Sequence, residues 1–351
     1  MKRDNKTILV TGGTGYIGSH TVVELQQKGY KVIIIDNLSN SHRNVVNAIK
    51  KITGIKPEFV KLNLCDYKKT ESFFKKHKNI SAIIHFAALK AVGESIKKPL
   101  EYYENNLTSL INVLKCASKF KIDNFVFSSS ATVYGQPDEL PVSENSPIKK
   151  ADSPYGHTKQ ISEDLISFYS SQNKTKSISL RYFNPIGAHE SALIGELPIG
   201  RPNNLIPFIT QTAIGKRDFL NVYGNYNTPD KTGIRDYIHI VDLARAHIIA
   251  VERLYNEKNK EIHEVFNIGT GTGYSVLEVV KTFEKVSSKK LNYKIVPSRP
   301  GDIDKVWANA DYANNELGWK AEKTLEDMVL SAWEWEKMLN EIENKTKKHK
   351  K

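Results

Sequence analysis

The 351-residue sequence is poor in residues that cross-link a chain or anchor it in a bilayer. It has two cysteines, Cys65 and Cys116, and no C-x-x-C pair. We therefore expect neither a disulfide framework nor a metal site. No apolar run reaches the roughly 18 residues that a transmembrane helix needs. The first residues, MKRDNKTILV, enter a strand-like run without the apolar stretch of a signal peptide, so we expect a cytoplasmic protein with no membrane partner.

Acidic residues are also fewer than basic ones. The chain has 51 Lys and Arg against 39 Asp and Glu, which gives a formal net charge of +12. The final segment KTKKHKK, residues 345–351, supplies five of those charges, and such a run is usually a solvated, disordered tail. No nucleic-acid motif accompanies the basic residues, so nucleic acid is not expected as a partner. The remaining positive charge suits an anionic substrate.

The sequence does contain a regular alternation of strand-like and helix-like segments. Short β-branched runs lie at residues 6–10, 31–36, 57–62, 81–87, 124–130, 177–183 and 264–269. Amphipathic stretches separate most of them, including residues 17–28, 66–76, 100–120 and 154–172. Continuous apolar strands that alternate with helices predict an α/β fold with a doubly wound parallel sheet, covered on both faces.

The amino-acid composition of the sequence changes after residue 184. Residues 185–237 are rich in Gly, Pro and Asn, whereas 239–255 resemble another helix that covers a sheet. We predict a Rossmann-type domain from residues 5–184 plus about 238–269, and a smaller α/β lobe from about 185–237 and 270–345. No low-complexity linker separates the two regions, so we expect them to pack closely.

A glycine-rich loop follows the first strand. TILVTGGTGYIGSH places Gly12, Gly15 and Gly18 in a GxxGxxG pattern that opens a helix. Glycines there permit a tight turn and the close approach of a pyrophosphate to the helix N-terminus. The second strand ends in Asp36, 18 residues after Gly18, where a carboxylate accepts hydrogen bonds from a ribose and repels a 2′-phosphate. This context predicts NAD, although a glycine loop alone also fits an α/β protein that binds no nucleotide.

The stretch SPYGHTK places a phenol and an ammonium one helical turn apart. Ser153 is a preferred N-cap residue, Pro154 suits the first helical position, and Tyr155 and Lys159 then share one helix face. A positive charge near a phenol lowers the pKa of the tyrosine and makes it a general base near neutral pH. The same spacing is also that of an ordinary exposed side-chain pair, so it needs further support.

Further support comes from the end of the fifth strand, FVFSSSATVYG. Ligands of parallel sheets bind beyond the carboxyl ends of the strands, so Ser130 is placed to bond a substrate hydroxyl. Alone, these serines would be expected only to cap or turn the chain. Together with the glycine loop, Tyr155 and Lys159, they indicate a dinucleotide-dependent active site.

Several longer segments carry a family resemblance. GGTGYIGSH, FAALKAVGES, PLEYYENN, SSSATVYG, RYFNPIGAH, PNNLIPF, GIRDYIHIVDLARAH and RPGD resemble, in order, segments of the UDP-glucose 4-epimerases, which are extended short-chain dehydrogenase/reductases. The resemblance extends from about residue 7 to 340. It implies a Rossmann NAD-binding domain with a UDP-sugar-binding lobe, a tightly held NAD, a homodimer, and epimerisation at C4 of a UDP-hexose through a transient 4-keto sugar.

The resemblance also assigns roles to individual residues, with Tyr155 as the base, Lys159 beside it and Ser130 on the 4-hydroxyl. The implied cofactor-binding residues are Gly12, Gly15, Tyr16, Ile17, Gly18, Asp36, Asn37, Ser39, Asn40, Ser41, Asn63, Leu64, Phe86, Ala87, Ala88, Lys90, Asn105, Tyr155, Lys159, Tyr182 and Phe183. The implied substrate-binding residues are Ser130, Asn184, Asn204, Leu205, Asn221, Tyr223, Arg235, Arg299, Asp302 and Val306. Two arginines suit a diphosphate because a guanidinium is permanently charged and bidentate.

Three positions depart from, or vary within, the family pattern. Asn63 stands where the family usually has an Asp near the adenine, and Ala88 stands where it usually has Gly. Val306 matches the position that lines the pocket near the sugar's 2-substituent, and Trp307 is adjacent. A valine leaves more room than the tyrosine of some members, so we expect N-acetylated UDP-hexosamines to be accepted along with UDP-glucose and UDP-galactose.

Two alternative functions remain at this stage. A nucleotide-sugar 4,6-dehydratase also oxidises C4, but such enzymes carry Asp-Glu after the active-site hydroxyl, whereas Ala131, Thr132 and Val133 follow Ser130 here. A non-catalytic NAD-sensing protein usually lacks the tyrosine or the lysine, and this chain has both. The epimerase is therefore the favoured interpretation.

Overall fold

The computed structural model describes residues 6–298 and 302–348. The strands are β1 (Thr7–Thr11), β2 (Lys31–Asp36), β3 (Glu58–Lys61), β4 (Ile80–His85), β5 (Asn124–Ser130), β6 (Lys176–Tyr182), β7 (Asn184–Ile186), β8 (Leu220–Tyr223), β9 (Ile234–His239), β10 (His263–Ile268), β11 (Gly273–Ser275), β12 (Tyr293–Val296) and β13 (Lys305–Val306). The α-helices are α1 (Tyr16–Gln27), α2 (Val45–Thr53), α3 (Tyr67–Lys76), α4 (Val92–Lys97), α5 (Pro99–Phe120), α6 (Pro154–Asn173), α7 (Leu205–Ala213), α8 (Ile240–Tyr255), α9 (Val276–Ser287) and α10 (Leu325–Lys348).

Seven strands form one central sheet in the order β10-β6-β5-β4-β1-β2-β3. Every neighbouring pair in it is parallel. The predicted doubly wound α/β fold is thereby confirmed. The chain builds outward from β1 through β2 to β3, then returns to the other side of β1 with β4. This reversal opens a crevice beyond the carboxyl ends of β1 and β4, which is where such sheets bind ligands.

Side chains of the central strands alternate between two apolar layers. In β1, Ile8 and Val10 join a cluster with residues of α1 and α8, whereas Leu9 joins the opposite cluster with residues of α3, α5 and α6. All three side chains are fully buried. Because successive strand residues point to opposite faces, a continuous apolar run is what a strand covered on both sides requires. The sheet thus provides a rigid base for the loops at its carboxyl edge.

The rest of the chain forms a third apolar cluster and two small sheets. β9 pairs with β7, β11 and β13, and β8 pairs with β12. Residues of α7, β8, α9 and α10 share a core that includes Ile209, Phe283 and Trp333. β10 and α8 belong instead to the central sheet and its cover. The limits of the two predicted domains stay a prediction.

The final helix, α10, ends at Lys348 and so includes the first part of the basic segment 345–351. Residues 349–351 lie outside the described residues, so the predicted disorder of the tail stays a prediction there. Within the described part of the chain, no helix combines the length and the apolarity needed to cross a membrane.

Candidate active site

One cavity of about 1830 Å³ opens at the carboxyl edge of the central sheet. Every predicted cofactor-binding, catalytic and substrate-binding residue that the structure describes lines it. Arg299, also predicted, lies outside the described residues. Residues from positions 12 to 306 therefore converge on a single space.

The glycine loop occupies the crevice between β1 and β4. Gly12 has a φ of +69°, and a Cβ on it would lie 2.9 Å from the backbone nitrogen of Ala87. A Cβ on Gly18 would lie 2.3 Å from the carbonyl oxygen of Gly12. Larger residues at these positions would push the loop away from the helix and from the β4 loop. The loop therefore has the tight turn and exposed helix N-terminus that a pyrophosphate requires.

Asp36 lies at the end of β2 with its buried carboxylate on the cavity. It accepts hydrogen bonds from the backbone nitrogens of Thr14 at 3.2 Å and Leu38 at 2.8 Å, and from the Ser41 hydroxyl at 3.0 Å. A carboxylate has about four acceptor positions, so capacity for a ribose hydroxyl remains. The residues present therefore fit an NAD site.

Asn63 lines the same end of the cavity. Its side-chain oxygen accepts from the backbone nitrogen of Cys65 at 3.0 Å. A carbonyl oxygen has a second lone pair, so this turn leaves it able to accept from an adenine amino group. Ala88, the other departure from the family pattern, also lines the cavity.

The three serines that end β5 have different partners. Ser128 and Ser130 both line the cavity, whereas the hydroxyl of Ser129 donates to Glu163 on α6. This is the alternation expected along a strand. The carbonyl oxygen of Ser128 accepts from the Lys159 Nζ at 2.5 Å, and its hydroxyl bonds the Tyr182 hydroxyl. Neighbouring positions therefore anchor the active-site lysine and leave Ser130 facing the cavity.

Helix α6 begins as its sequence predicts. The Ser153 hydroxyl accepts from the backbone nitrogen of Gly156 at 3.1 Å, and Pro154 is the first helical residue. Tyr155 and Lys159 then both face the cavity. The Lys159 Nζ lies 5.8 Å from the centre of the Tyr155 ring and 4.7 Å from that of Phe127.

Burial shifts both titratable groups toward their neutral forms. It raises the pKa of Tyr155 to about 12, against the opposing effect of a hydrogen bond with Ser130. It also lowers the pKa of Lys159 to about 7, against the opposing charge of Glu163. The expected lowering of the Tyr155 pKa is therefore not achieved by the chain's own groups, because the cost of burying a phenolate exceeds what they supply.

A buried ion pair between α6 and the central sheet supports this arrangement. Arg181 on β6 binds Glu163 through Nε at 3.0 and 3.1 Å and through Nη2 at 2.6 Å, and donates from Nη1 to the Tyr134 hydroxyl at 3.0 Å. Both side chains of the pair are almost fully buried. Removing one partner of such a pair typically costs about 3–5 kcal/mol. The pair fixes α6, and with it Tyr155 and Lys159, against the central sheet.

Two predicted substrate residues bind each other. Arg235 on β9 donates from Nη2 to Asp302 at 2.7 Å and to the carbonyl oxygen of Ile303 at 2.7 Å. The Tyr226 hydroxyl donates to the other Asp302 oxygen at 2.8 Å. Arg235 therefore holds the segment after residue 301 at the cavity wall, and its guanidinium still borders the cavity.

Val306 lies on the cavity wall, directly beside Arg235 in the β13–β9 pair. Its side chain is 7% exposed. The ring of the next residue, Trp307, packs on Gly273, where a Cβ would lie 3.0 Å from the ring. The register of β13 thus gives the valine, not the indole, to the cavity.

Several cavity residues were not predicted from the sequence. Tyr237 also lines the cavity, and it could have been found because it lies two residues after Arg235 on the same face of a strand. Glu196 and Phe208 line the cavity as well. Phe208 ends the PNNLIPF segment that carries the family resemblance, whereas Glu196 belongs to no motif, so only the folded chain reveals it.

Comparisons with known proteins agree with this geometry. The family model described as GDP-mannose 4,6 dehydratase matches residues 9–331. The UDP-glucose 4-epimerase of Bacillus subtilis is 49% identical over 331 residues, which cover 94% of this chain and 96% of that protein. The human UDP-glucose 4-epimerase is 47% identical over 338 residues, with 94% and 96% covered.

Solved structures give the same result. The UDP-glucose 4-epimerase of Bifidobacterium longum, in complex with NAD+ and UDP, has a TM-score of 0.91 and 46% identity, with 95% of this chain and 98% of that one covered. The enzyme of Stenotrophomonas maltophila, with bound NAD and formylated UDP-arabinopyranose, has a TM-score of 0.92 and 44% identity, with 96% and 99% covered. The chain belongs to the UDP-glucose 4-epimerase family.

Proposed function

We propose that this protein catalyses the NAD-dependent epimerisation of UDP-hexoses at C4, interconverting UDP-galactose and UDP-glucose. The observation that carries this function is the single cavity that joins the glycine loop, the Tyr155–Lys159 helix face and the residues around Arg235. Its relatives support it, since proteins 47–49% identical over nearly their full lengths are UDP-glucose 4-epimerases.

NAD, when bound, supplies the reversible uptake of the C4 hydrogen as a hydride. On the chain's side, Gly12, Gly15 and Gly18 would hold its pyrophosphate, and Asp36 would accept from the adenosine ribose. Lys159 would donate to the nicotinamide ribose. The remaining predicted cofactor residues border the same space.

The chain's own chemistry is the movement of one proton. The Tyr155 oxygen takes the proton of the substrate's 4-hydroxyl, and the Ser130 hydroxyl shares that hydrogen bond. Because burial raises the pKa of Tyr155 to about 12 despite the Ser130 hydrogen bond, the phenolate would need both the Lys159 ammonium and the positive charge that the nicotinamide of bound NAD would supply. The 4-keto sugar, tethered by UDP, turns in the cavity, and Tyr155 returns the proton to O4 when the C4–H bond re-forms on the opposite face.

The dehydratase alternative deserves comparison because the matching family model bears that description. Elimination of water across C5 and C6 needs an acid and a base beside the sugar. The 3-10 helix after Ser130, Ala131–Tyr134, offers no carboxylate for this. A non-catalytic NAD-binding role would leave the Tyr155–Lys159 pair without a use. Epimerisation uses Ser130, Tyr155 and Lys159, which all line the cavity.

We also propose that the enzyme is a cytoplasmic homodimer. Two apolar side chains on the neighbouring helices α5 and α6, Leu100 and Phe168, are 80% and 76% exposed, which suits a helix-mediated contact between two copies. Both cysteines are free thiols, as is usual in a reducing compartment.

Product analysis tests the function directly. Purified protein incubated with UDP-galactose should form UDP-glucose until the two reach equilibrium, with no net consumption of NAD. A dehydratase would instead release a 4-keto-6-deoxy sugar nucleotide, and an NAD-sensing protein would leave the substrate unchanged. Either of those results would overturn the proposal, and Tyr155→Phe serves as the inactive control.

A further inference from the structure

Glu196 brings a carboxylate into a cavity that we assign to anionic ligands. Its side chain is 13% exposed and lines the cavity together with Lys90 and Asn204. The Lys90 Nζ lies 3.6 Å from its Oε1, and the Asn204 Nδ2 donates to the same oxygen at 2.5 Å. The Oε1 atom of Glu196 thus contacts both Lys90, which is predicted to bind the cofactor, and Asn204, which is predicted to bind the substrate.

Asn204 does not play the ordinary role of a residue at its position. It is the N-cap of α7, where an asparagine oxygen usually accepts from the backbone nitrogen two or three residues later. Asn204 makes no such cap bond, partly because Pro207 at the third position has no N–H. The ordered bond of the Asn204 side chain is the one that its Nδ2 donates to Glu196. Glu196 therefore decides how the Asn204 amide is oriented.

The backbone of Glu196 is held in place by Trp335 on α10. The Trp335 indole nitrogen on α10 donates to the carbonyl oxygen of Glu196 at 2.9 Å. The preceding residue, Gly195, lies flat on the same indole, since a Cβ there would be 2.5 Å from the Trp335 ring. A carboxylate on a backbone held in this way has a defined place relative to α7.

We propose that Glu196 is a positioning residue that orients Asn204 to bind the diphosphate of the UDP-sugar, an inference that rests on the proposed function. An amide nitrogen carries two N–H donors. Glu196 takes one of them and so leaves the second to donate to a phosphate oxygen in the cavity. The Lys90 ammonium offsets the charge of Glu196, which limits its repulsion of the diphosphate.

The affinity of the NAD-loaded protein for UDP, measured by calorimetry, tests this role, with kcat and KM for UDP-galactose measured alongside. Glu196→Ala should raise the Kd for UDP about tenfold, as expected for the loss of a charge-assisted hydrogen bond, and should raise KM while kcat changes less than about twofold. Glu196→Gln keeps an acceptor oxygen for Asn204, so its Kd should stay within about threefold of wild type. Glu190→Ala removes an exposed carboxylate from the same segment and should leave the Kd unchanged.

A double-variant comparison separates positioning from support of the fold. If Glu196 acts through Asn204, then Glu196→Ala made in an Asn204→Ala background should weaken UDP binding no further. A multiplicative loss in the double variant, or failure of Glu196→Gln to restore affinity, would show that Glu196 supports the fold instead. Tighter UDP binding by Glu196→Ala would show that the carboxylate competes with the diphosphate. Either result overturns the inference.

The proposed function can fail separately. Wild-type protein that binds UDP but does not convert UDP-galactose would contradict the function, while the Kd series would still decide the role of Glu196. Wild-type protein that binds no UDP would overturn both.

Discussion

The two sides of the cavity are built in different ways. On the cofactor side, most of the predicted residues lie in three contiguous segments at the ends of β1, β2 and β4. On the substrate side, single side chains come from segments far apart in the sequence. Arg235 and Asp302, for example, are 67 residues apart and share one ion pair. The first kind of site can be read from a short motif, whereas the second becomes visible only in the folded chain or through a relative.

The physical reason is the range of the interactions involved. At Gly18 the requirement is steric and local, because a Cβ would meet the Gly12 carbonyl oxygen at 2.3 Å. A local steric requirement of this kind makes glycine necessary at a fixed position in the motif. At Glu196 the requirement is met by three partners, on a loop, a helix N-terminus and α10. No sequence spacing records it.

Tyr155 lies where the two sides meet, and its loss should have the largest effect. Tyr155→Phe removes the proton acceptor, so kcat on UDP-galactose should fall by about 10²–10⁴-fold, which is typical for a general base. The ring stays in place, so the cofactor side should be intact and the protein should still carry NAD. Turnover near the wild-type rate would show that another group takes the proton.

The charge of Lys159 gives the second largest effect, through the pH dependence of stability. Burial lowers its pKa from 10.5 to about 7, with partial opposition from Glu163. Between these two pKa values the unfolded chain binds one more proton than the folded chain, so stability rises with pH. Below pH 7 both states are protonated and the full cost of burying the ammonium is present.

Lys159→Met should remove this slope. The difference in the free energy of unfolding between wild type and variant should change by up to about 2–3 kcal/mol between pH 6 and pH 9, in favour of wild type at the higher pH. The neighbouring His85 does not titrate in this window, because burial lowers its pKa to about 3. Urea unfolding at the two pH values measures the change, and parallel curves for the two proteins would contradict a buried lysine that loses its proton near pH 7.

The sequence alone predicted the sheet and most of its helices, because their signals are periodic and local. It missed α2 (Val45–Thr53), whose N-cap Asn44 makes no side-chain cap bond, and α4 (Val92–Lys97), which is too short to show a period. The glycine loop, Asp36 and the Tyr155–Lys159 face were likewise derived from local chemistry. The substrate-side residues came from the family resemblance, and Glu196 came from neither.

Asp36 sharpens the comparison on the cofactor side, with a smaller effect. Asp36→Asn removes the charge but keeps an oxygen that can accept from Leu38, so the loop should hold. The preference for NAD over NADP should fall about tenfold, which corresponds to roughly 1.4 kcal/mol of lost repulsion against a 2′-phosphate. The ratio of the two Kd values measures this preference. Asp36→Ala should relax it further because it also removes the acceptors, and wild-type protein purified with NADP would contradict the assignment.

Val306 tests the opposite side, where we expect an effect of the same modest size as at Asp36. The valine is 7% exposed on the cavity wall and packs in a small cluster with Val133, Phe183 and Ala308. We predict that wild type converts N-acetylated UDP-hexosamines as well as UDP-glucose, because a site cannot strongly reject a group that fits an available space. Val306→Tyr would fill that space. The ratio of kcat/KM for UDP-N-acetylglucosamine to that for UDP-glucose should then fall about tenfold.

Trp307 provides the matched control for this position. Its ring packs on Gly273, so Trp307→Phe should leave the ratio of the two kcat/KM values unchanged. If wild type does not convert the N-acetylated sugar, or if Val306→Tyr leaves the ratio unchanged, Val306 does not select the substrate. If Trp307→Phe changes the ratio instead, the indole takes part in selection and the register of β13 alone does not decide which side chain meets the sugar. Strand β13 has only two residues, Lys305 and Val306. A shift of one position would therefore place the Trp307 indole, rather than Val306, at the cavity wall. The two variants together distinguish these arrangements, which neither variant does alone.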